Sequence, residues 1–590
     1  MLIAKKMKRL LIISTIFLLL IAIKSYGQHE ADYWPFGYWA GLNYYSGTAT
    51  GDTSKFIGYE GGTAISDGCS ILFYTDGDTV YDRNHNPMPN GFGLAGKCTN
   101  YVVPSGTQSA LAVSQPGSDS LFYIFTTDCV EDTLKDGLRY SIVDMSLNGG
   151  LGNVTIKNQL LLYPSTEKVV ATRHANGCDI WVLGHEYGTN AFYAFLLTNI
   201  GISATIVSNS GQVHGYDNQC KYLPCFNCPG IPYIDEQIAR GYMKFSMDGS
   251  RLILLATPDD FDTLTCDPVY GLYPELFTFD NSTGVVAQDV LLADTDSILY
   301  YGASFSPDNS KLYLSCGWFG YFGNGLSYLH QFHLNAGNST AILNSRTLIN
   351  DTTSWYHPGA MQLAYDGKIY FANDNWDYVG AINNPNAAGL ACNYNDSAVG
   401  LPNYYTCGIG LPNFLESYFT INQEADFICS QTTALPGATI YFTDNSTGAS
   451  LWEWDFGDGN YAATQNTSHA YSSTGIYTVT LTINKDCHYD KGCKTIVVTK
   501  ESAITDHSDN NIASIYPNPF TKKTTIEFKN PKNENYTLKL YDSQGRIVQT
   551  ITDITTSQVI IEKDNLTNGL YFFQLRTDKE ICATGKLIVK

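Results

Sequence analysis

The chain has 590 residues, too many for one hydrophobic core, so it divides into several domains. Only 15% of the residues are charged while 13% are aromatic, with 42 tyrosines, a bias that suits half-exposed pleated sheet and makes an all-β protein the first expectation. A formal net charge of -21 repels phosphate backbones and anionic lipid surfaces, which sets nucleic acid aside as a partner.

In chain order, Lys5, Lys6, Lys8 and Arg9 precede an apolar run from Leu10 to Ile23, and Ser25-Tyr26-Gly27 offers small residues where a signal peptidase cuts. Residues 1–27 therefore read as a signal peptide cleaved before Gln28. The competing reading, a membrane anchor, is disfavoured because the run stops at Lys24, short of the roughly 18 apolar residues that a span needs. No later segment is apolar enough to span, so none is expected in the mature chain. Fifteen cysteines agree with an oxidising, exported setting, and their odd number leaves at least one thiol free or paired elsewhere.

A recurring hairpin pattern follows. SFSPDNSKLYLS (304–315), KFSMDGSRLILLA (244–256) and QLAYDGKIYFAN (362–373) each place an Asp-containing turn between two short apolar strands. Looser copies lie at 64–76, 112–128 and 172–186. Hairpins at such wide intervals match the blades of a β-propeller, with an irregular two-domain sandwich as the alternative. The flanking stretches 32–45 and 410–419 are expected to complete a last blade together. Seven blades are favoured, with six or eight as alternatives, over residues 28–420. The wording of 59–91, 166–186 and GLPNF (410–414) resembles the large N-terminal region of exported surface proteins of gliding-type Gram-negative bacteria. That resemblance implies a propeller-like exported domain and no defined reaction.

WEWDFGDG (452–459) gathers three carboxylates in eight positions. On a strand, Trp452, Trp454 and Phe456 share one face and Glu453 and Asp455 the other, and Gly457-Asp458-Gly459 then turns the chain. The expectation is an aromatic core and a turn. No cofactor is expected here; calcium is the alternative, and Asp455 and Asp458 alone offer it too few oxygens. With HAYSSTGIYTVTLT after it, the stretch resembles the PKD domain, an Ig-like β-sandwich module, over 424–500. The residues carried over are Trp454, Asp455, Gly457, Asp458 and Gly459, with Tyr471, Gly475 and Tyr477 further on. The resemblance implies a spacer or binding module, assigned here to 421–500. Residues 501–512 are polar and acidic, as a linker is.

The last unit, 513–590, reads as a small β-sandwich. Tyr516-Pro517-Asn518-Pro519, LYDSQGRIV (540–548, with Gly545), Asn568-Gly569-Leu570-Tyr571 and Lys586-Leu587-Ile588-Val589-Lys590 resemble the type A sorting domain of type IX secretion. The resemblance implies that machinery as a partner, passage across the outer membrane, and residence at the cell surface or outside the cell.

Catalytic motifs are sparse. No G-x-S-x-G occurs, and His185-Glu186 lacks the second histidine of a zincin. Cys220, Cys225 and Cys228, near His214 and Cys266, make a tetrahedral zinc site conceivable, but disulfides are preferred in an exported chain. Cys487 and Cys493 flank HYDKG and are expected to bridge a hairpin end. Trp318, Phe319 and Tyr321 are candidates for a stacking surface on a glycan or protein ligand. Two functions remain: a non-catalytic binding or adhesion protein, which is preferred, and a propeller glycoside hydrolase or lyase whose acids come from different blades.

Overall fold

The computed structural model describes residues 29–98, 105–214, 236–257, 273–293, 300–316, 327–352, 358–402, 405–419, 425–446, 449–485, 488–499, 514–542, 546–564, 566–577 and 581–590. The signal segment 1–27 and the linker 501–512 lie outside them. Two compact units result: 1–432 with 439–470 and 476–496, and 433–438 with 471–475 and 497–590.

Among the described residues, seven antiparallel sheets follow one another between residues 33 and 400, each built from strands consecutive in the chain. They begin with the strands Tyr33–Phe36, Thr63–Ser66, Ala110–Ser114, Ser165–Arg173, Met243–Phe245, Gly302–Phe305 and Pro358–Leu363. Sheets one and two have three strands and the other five have four. The six hairpins expected from the turn pattern are the first two strands of sheets two to seven.

The turns work through their aspartates. In sheet five, Ser246 Oγ, the Ser250 amide and Ser250 Oγ all donate to Asp248 Oδ1, at 2.7, 3.1 and 2.9 Å. Asp308 in sheet six repeats the pattern with Ser306 Oγ at 2.7 Å and the Ser310 amide at 3.0 Å. A short polar side chain that caps its own turn amides reverses the chain without help from the core. Each following strand then buries its apolar residues; all six of Lys311–Cys316 are buried.

The first strands of successive sheets are neighbours, which makes the seven sheets the blades of a propeller. The segment after the seventh sheet closes the ring: Ile409 accepts from the Ala360 amide at 2.7 Å and donates its own amide to Tyr59 O at 2.8 Å. Tyr38 of the first sheet bridges to Thr406. Chain start and chain return therefore meet in the first blade through Tyr38 and Thr406, whereas 410–419, expected to complete that blade, joins none of the described sheets and bridges to the second blade at Gly62–Pro412. Gly37, at φ +60, is required there, since a Cβ would come within 2.3 Å of Thr406 O.

The axis is filled by buried polar side chains. Asn413 of the GLPNF stretch donates to Val169 O at 2.8 Å and accepts from Gln108 Nε2 at 3.3 Å. Lys244 Nζ donates to Glu416 Oε1 at 2.8 Å and also to Gln362 Oε1. Each pinned group joins first strands of different blades, so these bonds add specificity as well as satisfying buried donors.

Most of the Ig-like module belongs to the first unit. Trp454, on strand Leu451–Asp455, is fully buried, with Phe427 edge-on at 5.0 Å and its indole N–H donating to Thr464 O at 2.8 Å. One correction concerns the cysteines. HYDKG is not a hairpin end but lies inside the long strand His488–Val498. Cys493 is bonded to Cys69 of the second blade instead, with Cα atoms 5.5 Å apart. Cys487 lies outside the described residues.

In the second unit, a three-stranded sheet (Ser514–Tyr516, Lys523–Glu527, Gln558–Glu562) and a four-stranded one (Ile547–Ile554, Tyr536–Tyr541, Gly569–Arg576, Ile581–Val589) enclose a small core. Tyr536, Leu538 and Leu540 are buried in strict alternation, as one buried sheet face requires. The core further takes Phe520, Phe573, Leu575 and Leu587.

Candidate functional site on the propeller

Two groups of side chains on the propeller are candidates for function. The first is buried and acidic. Glu60 precedes the second blade, Glu167 lies on the first strand of the fourth, Glu131 follows the second strand of the third, and Arg240 and Tyr301 precede the fifth and sixth. Glu167 is fully buried; its Oε2 accepts from the Thr107 amide and hydroxyl at 2.9 and 2.7 Å, and its Oε1 from the Val130 amide at 2.7 Å. Glu60 accepts from Tyr301 O–H and, at 3.4 Å, from Ser105 Oγ. Glu131 pairs with Arg240.

Burial first, then the neighbouring Glu167, raises the Glu60 carboxyl well above the ordinary range, against the opposing pull of Arg240 and the Tyr301 hydrogen bond. Glu131 is raised for the same first two reasons. Beside them Lys168, whose Nζ donates to Ala239 O at 2.5 Å, is pushed down to about 7 by burial. Chemically this is a carboxyl with a raised pKa set near others that accept hydrogen bonds, an arrangement from which acid–base catalysis can be built. Here, however, every oxygen of Glu60 and Glu167 already has an internal donor.

The second group is aromatic and reaches the surface. Trp39 is 44% exposed and sits at φ 61, a conformation unusual for a bulky residue. It marks a bulge, since the pairing with the third strand shifts between Tyr38 and Ala40, and bulges re-aim side chains beside functional sites. Tyr405 lies 6.2 Å from its ring. Through the closing segment, where the Cys407 amide donates to Trp376 O at 2.9 Å, this pair connects to Trp376 and Tyr378, whose rings are 4.8 Å apart. Tyr59 O–H donates to Asp374 Oδ2 at 3.2 Å in the same neighbourhood.

Neither group was singled out from the sequence. Glu60, Glu131 and Glu167 belong to no local motif, and only the ring closure brings them together; the one available signal for Trp39 was its place in the aromatic stretch 32–45. The aromatic candidates Trp318, Phe319 and Tyr321 and the cysteines Cys220, Cys225 and Cys228 lie outside the described residues. A described disulfide, Cys98–Cys129, anchors the loop that carries Glu131. In that loop Asp128, Asp132 and Asp136 come within 4.8 Å of one another. Asp128 accepts from the amides of Cys129 and Asp136, at 2.9 and 2.8 Å, and Asp132 accepts from Lys135 Nζ at 2.6 Å.

In the Ig-like module, Asp455 Oδ1 accepts from the Gly457 amide at 2.8 Å and Asp458 Oδ1 from the Asn460 amide at 3.1 Å. Gly457 and Gly459 have φ of +74 and +88. His469 also bonds Asp458, at 2.7 Å, and stacks on Phe456 at 4.2 Å. Asp455 is thus occupied by its own turn, and Asp458 by its turn and by His469. In the second unit, Asn518 Nδ2 donates to Lys586 O at 2.9 Å and Asn518 Oδ1 accepts from the Ile588 amide at 2.8 Å, tying the start of the unit to its last strand. Pro517 and Pro519 flank it, both after cis peptide bonds. Gly569 opens the strand Gly569–Arg576, Tyr571 is buried with its hydroxyl on Thr567 O at 2.9 Å, and Gly545 is outside the described residues. Among the described residues no helix is long and apolar enough to cross a membrane.

Residues 424–500 match the PKD domain family, and residues 514–590 match the Secretion system C-terminal sorting domain family. Among solved structures, the PKD1 domain of the Vibrio cholerae metalloprotease PrtV is 26% identical over 14% of this chain and 100% of its own, with a TM-score of 0.12. The PKD1 domain of Vibrio anguillarum Epp is 24% identical over 13% of this chain and 95% of its own, with a TM-score of 0.12. Hydrazine synthase of Kuenenia stuttgartiensis is 11% identical over 58% of this chain and 88% of its own, with a TM-score of 0.35. The chain thus carries a PKD domain and a type IX sorting domain, and the latter directs it to the cell surface or the extracellular space.

Proposed function

We propose that this exported multidomain chain is a binding protein whose propeller presents Trp39 and Tyr405, with Trp376 and Tyr378 beside them, as a platform for a glycan. The observation that carries the reading is Trp39 itself. A bulky side chain held at positive φ on a bulge costs about 1–3 kcal/mol of backbone strain, and its ring is turned toward solvent instead of the core. Sugars offer C–H faces to such rings and hydroxyls to neighbours like Asp374 and Tyr59, so the chemistry of the patch suits them. The PKD domain and the sorting domain then serve presentation and export.

A second reading, hydrolysis of a polysaccharide, is favoured by Glu60 alone, a carboxyl that burial and Glu167 raise above the ordinary range, close to Glu131 and Glu167 from other blades. The internal donors on Glu60 and Glu167 weigh against it.

Both readings meet in one experiment. The intact chain and its Trp39→Ala and Glu60→Gln variants are run against a panel of immobilised polysaccharides, with retention and released sugar measured together. Loss of a central aromatic contact is expected to weaken binding on the order of 10-fold or more, with no sugar released. Unchanged retention by W39A would remove the platform, and turnover that disappears in E60Q would make the protein a hydrolase.

A further inference from the structure

The turn that carries Trp376 also carries two carboxylates. Asp374-Asn375-Trp376-Asp377 joins the strands Ile369–Asn373 and Tyr378–Ile382 of the seventh blade, so the acids stand on either side of Trp376 and Asp377 adjoins Tyr378. The turn is held firmly. Asn375 adopts φ 60, which asparagine tolerates better than most residues, and the Trp376 amide donates to Asn373 O at 3.1 Å. The Asn375 amide donates to Cys407 O at 3.1 Å, and the Leu401 amide to Asp377 O at 2.8 Å. Tyr405 and Thr406 lie between those two anchors and carry the platform across to the first blade: Tyr405 is the ring beside Trp39, and Thr406 O accepts from the Tyr38 amide at 2.9 Å.

Both acids act on this neighbourhood. Half-buried Asp374 accepts from Tyr59 O–H, and after burial it is the charge that raises the Tyr38 phenol above its ordinary range. The buried Cys407 thiol is pushed up to about 12 by burial first, with Asp374 and Asp377 adding to the rise against a hydrogen bond from the Asn373 backbone. One buried group thus feels both carboxylates, which places them together beside the closing segment. Asp377 is exposed and forms no ion pair among the described residues.

On the platform reading above, we propose that the glycan carries free amino groups: an amino sugar lies on Trp39 and Tyr405 with its ammonium held by Asp374 and Asp377 beside Trp376, and uronate- or sulfate-bearing glycans are turned away. The faces of Trp and Tyr rings attract a cation, and a carboxylate close by attracts it further while repelling an anion. Rings and acids therefore favour the same charge. A neutral sugar can use only the rings and the hydrogen bonds, so it binds less tightly than its amino counterpart.

The test is calorimetric titration of the intact chain with a glucosamine tetrasaccharide and with its N-acetylated form, at a mildly acidic pH that keeps the amine protonated. Salt at about 0.15 M limits the reach of the chain's overall charge to ~8 Å. The amino form is expected to bind the parent about five-fold tighter or more, and that ratio is expected to fall toward one in Asp374→Asn and Asp377→Asn. One charge out of a net -21 changes general attraction little, so a drop in a single variant reports the site. Trp39→Ala is expected to weaken both ligands on the order of 10-fold. Equal affinity of the parent for the two forms, with both weakened in W39A, overturns the charge preference and leaves the platform standing, as does a ratio that survives in both Asn variants. W39A chains that bind both forms like the parent, or a parent that binds neither, remove the platform and the preference with it. Asp377 is exposed and takes no part in the bond to Tyr59, so D377N decides alone should D374N fold poorly.

Discussion

Glu30 is a residue whose environment disagrees with its ordinary chemistry. Its Oε2 is buried with no hydrogen-bond partner among the described residues. Burial, then the carboxyl of Asp490, raises it to about 8, while Arg173 and His29 oppose the rise. Asp32 and Asp490 are raised as well, each by burial first. A carboxyl whose folded value lies above its unfolded one stabilises the fold fully below the unfolded value, near 4.5, and that contribution is lost as pH rises through about 8. At about 1.4 kcal/mol per unit, the window between those values is a slope of a few kcal/mol. Tm measured across it is therefore expected to fall with rising pH in the parent and to fall less in Glu30→Gln, which carries no proton to lose. Parallel curves for the two chains would show that Glu30 is solvated after all.

At the scale of elements, the closing segment decides whether seven meanders become a ring. Strands made of alternating apolar residues and Asp-centred turns form hairpins by local rules, and for that reason all six hairpins were legible before any tertiary contact was known. Among the described residues the segment 406–414 forms no such unit and contributes isolated bridges and single bonds, to the seventh blade before it and to the first and second blades at the far end of the chain. Asn413 concentrates this role, being 1% exposed and bonded to the second, third and fourth blades. Replacing it by alanine removes the side-chain donor to the buried Val169 carbonyl, at about 1–3 kcal/mol, while Gln108 Nε2 keeps its bond to Met243 O at 3.1 Å. The urea midpoint of Asn413→Ala is expected to drop accordingly without loss of β-sheet signal; an unchanged midpoint would mean the ring closes without this pin.

On the scale of the molecule, the Cys69–Cys493 bond changes the meaning of the Ig-like module. A spacer joined only at residue 420 would be a separate bead. A crosslink spanning 424 residues makes most of the module one unit with the propeller, and such a long loop is where a disulfide restricts the unfolded chain most. A protease site introduced at 421–423 should therefore yield two pieces that stay together on a non-reducing gel and separate on reduction, while Cys69→Ser chains separate without reductant. Cut parent protein that falls apart unreduced would leave the module tethered by its linker alone.

By itself the sequence determined the all-β class, the blade hairpins, the PKD and sorting domains and the export route, because each depends on residues a few positions apart: a turn, an alternation, a short motif. What the tertiary structure alone decided were the partners across tens to hundreds of residues, namely Glu60 with Tyr301, His214 with Glu275 and Cys69 with Cys493, and the bulge that turns Trp39 outward. Those pairings follow from ring closure and blade-to-blade packing, and no periodicity along the chain encodes which residues a closed ring will make neighbours.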